Sequence, residues 1–419
     1  MSIFFSRIRY GACIAAIVTA MLLVGCGTSA NSGSSSSAVD YSGTITIWHN
    51  WQGTYLQAKQ AIFDAYTKLH PKVKIAVVHQ DDIAAKSVTA VKAGNGPDII
   101  AYTDDNLGKL ALSGVVKPLD SYISADFLKQ TYSPAAADAL IFNGHVYGVP
   151  ESVEALTLMY NKALLSADQL PKTSNDLLAF EQSYAKNHPG QYGVIWNTLD
   201  AYTNAPWFYG FGAQYVTPDG KAGLDSPAAL SALQYIASFR SYLPKQVTYD
   251  VASSLFTEGK AAAIINGPWS YADYAQNAKI NVGFALLPVI SGSNTPAKPF
   301  VGVKSLWMAK TAKNPALVAD FMKFYTSKAN QISMAQANGE IPANAAAASD
   351  AAISSLPAVS AYASQVKLGV ALPNTPNMSA IWTPLADALT AVWNGSQSPQ
   401  AALQDAQSAA QKGIQQITS

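Results

Sequence analysis

Four acids, Asp105, Glu154, Asp200 and Glu258, stand in a chain that also carries 21 Tyr, 14 Phe and 8 Trp. An aromatic-rich chain with scattered acids is compatible with glycoside hydrolysis, which needs two carboxyl groups flanking one glycosidic bond at roughly 5 to 9.5 Å. The competing reading of any one acid is a solvated face or a helix cap. Other chemistries lack their residues. The five histidines, His49, His70, His79, His145 and His188, are scattered without metal-ligand spacing, so they read as surface or turn residues and no metal site is expected. There is no Walker A sequence, no GxGxxG, no GxSxG elbow and no HExxH, and no cofactor is expected.

Whatever these side chains do, packed elements must position them. A chain of 419 residues exceeds the usual size of one hydrophobic core, so two lobes are expected. With 49% apolar and 10% aromatic residues there is side-chain mass for two cores and for exposed rings besides. The 27 basic and 26 acidic residues nearly cancel and form no long runs, which excludes the electrostatic footprint of a nucleic-acid binder. Charged residues make up 13%, about half the usual share, a balance that suits an acidic habitat where surface carboxylates are protonated.

TITIWH from Thr44 reads as a buried strand, and Tyr55, Ala58, Ile62, Tyr66 and Leu69 recur at helical spacing until His70-Pro71 stops the helix. Val73 to Val78 is a second β-branched run. A helical stretch to Ala93, the turn Gly94-Asn95-Gly96-Pro97 and a third strand, Asp98 to Ala101, follow. This alternation implies a parallel sheet, whose binding crevice lies beyond the carboxyl ends of its strands, after His49, Ala101 and Val149. Helical patterns over Ala228 to Tyr242, strands over Ala261 to Ile265 and Asn281 to Leu286, and a helix over Ser398 to Ile417 continue the mixture. No fixed period suggests repeats.

The N-terminus reads as an address. Arg7 and Arg9 precede an apolar run, Cys13 to Val24, of signal-peptide length. The run ends in Leu23-Val24-Gly25-Cys26, which resembles the bacterial lipobox, so residues 1–25 are expected to be removed and Cys26 to be lipidated. Several acyl chains hold a protein at a membrane at roughly 0.8 kcal/mol per buried methylene. Residues 26–43, small and polar, read as a flexible tether. Cys26 would be the sole cysteine of the mature chain, which excludes an internal disulfide.

Five segments resemble the maltose/maltodextrin-binding proteins of bacterial ABC importers: GNGPDII at 94–100, VEALTLMYNKALL at 153–165, INGPWSYADY at 265–274, KPFVGVKSLWM at 298–308 and LPNTPNMSAIW at 372–382. They occur in the family's order and spacing. The resemblance implies an α/β fold of two periplasmic-binding-protein lobes, each a mainly parallel sheet flanked by helices, with a hinged cleft between. Lobe 1 would hold 44–153 and 303–355, lobe 2 154–302 and 356–419. It implies no catalysis. The expected role is a monomeric receptor, lipid-anchored on the extracellular face of the cell membrane, that captures maltodextrins and delivers them to ABC permease subunits.

Sugars offer hydroxyl rims for charged or amide partners and apolar C–H faces for rings. Carried over motif by motif, the family's aromatic platforms fall on Tyr102, Tyr202, Trp269 and Trp382, with Tyr271 beside them, and its hydroxyl-binding acids on Asp105, Glu154 and Asp200. Glu154 interrupts the apolar SVEALTLMY, where an unpaired charge would be costly, and a ligand-facing role explains it. Asp105 could also cap the helix beginning at Asn106. The first loop departs from the family: an acid followed by Lys is replaced by Asn50-Trp51-Gln52-Gly53. Expected arginines are Asn106 and Ala386. Gln52 can still hydrogen bond and Trp51 can stack, so a glucan remains compatible, and so does another oligosaccharide of the trehalose, sucrose or galactoside type.

Overall fold

The computed structural model describes residues 39–51 and 53–418; the segment expected to be a signal peptide, Cys26, the segment up to residue 38 expected to be a tether, Gln52 and Ser419 lie outside the described residues. Alternating β-branched residues build the centre of a first sheet. Its strands Gly43–His49, Val73–His79 and Ile99–Thr103 are parallel, with Ile45 and Ile47 fully buried in the middle one. The helix Gly53–Leu69 makes the first connection and turns Tyr55, Lys59, Ile62, Phe63 and Tyr66 inward at a 3.6-residue period. Two details differ from the sequence pattern. Leu69 is 62% exposed, and a lysine rather than Ala58 takes an inner position on the second turn.

Beyond these three strands the sheet is mixed rather than mainly parallel. The long strand Phe300–Met308 runs antiparallel to Ile99–Thr103 on one side and to Gly148–Glu154 on the other, and Ile341–Pro342 adds antiparallel to Gly148–Glu154. The second sheet, ordered Val282–Ala285, Thr157–Asn161, Ala261–Asn266, Tyr192–Ile195, has one parallel pairing, between Tyr192–Ile195 and Ala261–Asn266. The cause is the path of the chain. Strand Gly148–Glu154 of the first sheet is followed after two residues by Thr157–Asn161 of the second, and the chain returns through Phe300–Met308. Strands that link sheets need no crossover helix of their own sheet, so nothing forces them parallel.

Trp382–Asn394 and Pro399–Thr418 pack on each other, and both lie near the helices that follow the second sheet's strands. Among the described residues no helix is long and apolar enough to cross a membrane.

Candidate functional site

The carboxyl ends of both sheets' strands open into one cleft of about 1020 Å³. On the first-sheet side, Ile99–Thr103 delivers Tyr102, Thr103 and then two successive acids with separate fates. Asp104 turns inward and its carboxylate accepts the Val303 N–H at 2.8 Å. Asp105 lines the cleft, accepting from Asn106 Nδ2 at 2.8 Å and from Trp382 Nε1 at 3.0 Å. Burial pushes Asp105 up to about 6, while the bonds from Asn106 and Trp382 and the Lys304 ammonium oppose the rise. Glu154 ends its strand opposite Gly302, 3% exposed, with Lys304 Nζ 3.6 Å away. Burial raises its carboxyl and Lys304 is the main opposing influence.

On the second-sheet side, Asp200 caps the helix Ala201–Phe211, its Oδ1 accepting the Thr203 N–H at 2.8 Å. The cap role weighed for Asp105 thus falls on Asp200, and Asp105 spends its carboxylate on side-chain donors. Tyr202 follows on the same helix. Its hydroxyl is buried and has no partner among the described residues. The Tyr202 ring lies 6.2 Å from Trp269, which sits in the turn Pro268–Ser270. A Cβ on Gly267 would collide with the Trp269 ring, so the GPW sequence is a packing requirement. Trp382 opens the helix Trp382–Asn394 and is held edge-on by Phe300 at 6.0 Å and Tyr215 at 6.4 Å.

Tyr102, Asp105, Glu154, Asp200, Tyr202, Trp269 and Trp382 therefore meet in one cleft. Two residues expected at the site, Trp51 and Tyr271, and the candidate acid Glu258 stand apart from that group. Trp51 reaches the cleft wall but is 4% exposed, its ring stacked on His49 at 4.7 Å and lying near Phe63 and Tyr325 at 6.1 and 6.3 Å. Beneath it Lys59 is fully buried, ion-paired with Glu151, 3.8 Å from Glu340 and 5.0 Å from the Trp51 ring centre. Tyr271 stays out of the cleft, its ring turned to Phe284 at 5.4 Å and to Gly339. Glu258 pairs with Lys260 at 2.7 Å on an exposed surface. Among the described residues no cluster of three or more potential ligands could hold a metal ion.

Sequence reasoning missed Lys304, Tyr55 and Asp273, all of which line the cleft. For Lys304 the signal was present: a charge inside the apolar FVGVKSLWM invites the argument already applied to Glu154.

Two sheets joined by crossover strands, with rings and buried acids facing one cleft, define a solute-binding receptor. Residues 61–361 match the family described as bacterial extracellular solute-binding protein, and the chain belongs to that family. A maltotriose-binding protein of Pyrococcus abyssi is 30% identical over 81% of this chain and 75% of its own. A galactooligosaccharide-binding protein of Bacillus subtilis is 29% identical over 92% of both chains. A maltooligosaccharide ABC transporter solute-binding lipoprotein of Streptococcus pneumoniae is 29% identical over 95% of both. Among solved structures, a maltose/maltodextrin-binding domain from Bdellovibrio bacteriovorus bound to maltotriose superposes with a TM-score of 0.83 at 28% identity, covering 89% of this chain and all of that one. Membership of a binding-protein family sets the hydrolase reading aside.

Proposed function

We propose that the protein captures maltodextrins in this cleft and hands them to the permease subunits of an ABC importer, as a monomer anchored through lipidated Cys26 on the extracellular face of the membrane. One observation carries the reading: Trp269 and Trp382 share a cleft with Asp105, Glu154 and the Tyr202 hydroxyl, unpartnered among the described residues, which together match the apolar faces and hydroxyl rims of a glucan. A volume of about 1020 Å³ stands at the top of the range of roughly 300 to 1,000 Å³ for small-ligand sites, which suits an oligosaccharide. Lobes 44–153 plus 303–355 and 154–302 plus 356–419 close on the sugar because only the closed form lets both touch it. Closure is the state the permease reads.

A galactooligosaccharide is the second reading, favoured by the Bacillus subtilis relative and by the altered first loop. Calorimetry with maltose, maltotriose, maltotetraose and galactotriose tests both. Tightest binding of the α-glucans supports the proposal, tightest binding of galactotriose moves the assignment, and no binding of any of them refutes a saccharide cleft of either type.

A further inference from the structure

The cleft is short of cations. Arg240 is the sole arginine after Arg9, and it is exposed, donating to the Asn394 carbonyl at 3.1 Å. The positions where the resemblance calls for cations hold Gln52, Asn106 and Ala386. Among the described cleft-lining residues the cations are Lys109, which is exposed, and Lys304, whose side chain is 15% exposed.

Lys304 occupies a particular place. It lies on the strand Phe300–Met308 between Thr103 on one side and Ser152 on the other, where the register shifts between Lys304 and Ser305. Such an irregularity re-aims a side chain relative to a regular pleat. Its Nζ stands 3.4 Å from Thr103 Oγ1, 3.6 Å from Glu154 Oε1 and 5.7 Å from the centre of the Trp269 ring. An ammonium has three protons to donate. Thr103 takes one at long range and Glu154 pairs with the charge, which leaves donor capacity on an ammonium that lines the cleft over the Trp269 ring.

We infer that Lys304 is a sugar-binding residue in its own right, whose ammonium donates to hydroxyls of the saccharide unit that stacks on Trp269. It supplies from the crossover strand the positive charge that the other positions lack. This inference rests on the saccharide reading of the cleft. The bland alternative is that Lys304 only neutralises Glu154 and never meets ligand.

The two roles separate when Glu154 is first made neutral. In a Glu154→Gln background, adding Lys304→Met deletes a direct donor if Lys304 contacts sugar and changes nothing if it merely serves the acid. Calorimetry with maltotriose, on variants shown by circular dichroism melting to be folded, should find the double variant weaker than Glu154→Gln by about tenfold to a hundredfold, the worth of a charged hydrogen bond. Lys304→Leu in the same background gives the comparison should Met at 304 prevent folding. Equal affinity of the single and double variants overturns the inference while leaving the saccharide reading intact. A wild-type protein that binds neither maltotriose nor galactotriose overturns both.

Discussion

Replacing Trp382 by Phe should move the pH dependence of ligand binding by one to two units. The indole N–H donates to Asp105 Oδ2 at 3.0 Å, and Phe keeps a ring against Phe300 and Tyr215 while removing that donor. Asp105 is already pushed up to about 6, by burial against the opposing bonds from Asn106 and Trp382 and the charge of Lys304. A hydrogen bond to a charged group is worth about 1.5 to 3 kcal/mol, and about 1.4 kcal/mol is one pK unit, so losing it carries Asp105 to about 7 to 8. On the proposed function, the ionised carboxylate accepts sugar hydroxyls. Wild-type affinity for maltotriose should then be level near pH 7.5 and fall as acidification passes about 6, by at most about tenfold per unit. The Trp382→Phe variant should start falling from higher pH and be about two- to tenfold weaker than wild type at pH 7. Glu154 and Asp200, also raised by burial, line the same cleft and could contribute to such a profile. Asp105→Asn therefore serves as the control, and the slope near pH 6 should flatten in it. Titrations by tryptophan fluorescence from pH 4.5 to 8.5 decide the matter. Coincident midpoints in wild type and Trp382→Phe, or an unaltered slope in Asp105→Asn, refute the assignment of Asp105 as the titrating acceptor.

Glu181 offers a stability test away from the cleft. Burial pushes it from 4.5 up to about 7 even though it accepts the Val194 N–H at 2.7 Å, so the native state holds this proton more tightly than the unfolded chain. Its contribution is intact below about 4.5 and is lost as pH rises through about 7, about 3 kcal/mol in all. Urea unfolding should show wild type losing stability across that window and Glu181→Gln losing less. Tyr202→Phe removes a buried hydroxyl without a partner among the described residues, so it should weaken maltotriose binding about two- to tenfold in calorimetry while leaving the melting temperature level or higher. Cys26→Ser should release the protein from the membrane into the medium and abolish incorporation of labelled palmitate, checked by fractionation and blotting.

The chain's elements were legible where local rules suffice. The stop at His70-Pro71, the strand from Val73 and the closing helix all fall within a residue or two of their places. Direction was not legible. Nothing local in FVGVKSLWM reveals that the neighbour of Phe300–Met308 is Ile99–Thr103, some two hundred residues earlier, or that the two run opposite ways. The site divides along the same line. Trp269 and Trp382 could be picked out because Gly, Pro and the family motifs surround them, whereas Tyr271, two residues from Trp269, points elsewhere once a helix begins at it.

Trp51 shows why composition alone misleads about rings. Its type and position in the first loop fit a stacking platform, and its fate is decided by Lys59, eight residues further along. A hydrophobic pattern scores that lysine as an outward residue. The folded chain buries it, because Glu151 and Glu340, distant in sequence, come together around it and Tyr55 Oη donates to Glu340 at 2.6 Å. Burial lowers Lys59 to about 8, and nearby Glu340 keeps it from falling further, so at neutral pH it remains largely charged beneath the Trp51 indole. The ring thereby lies as a lid over a buried charge. In the loop where the resemblance places an acid and then a lysine, this chain has an aromatic lying over a buried lysine, and the partly buried cation that lines the cleft is Lys304 on the strand Phe300–Met308.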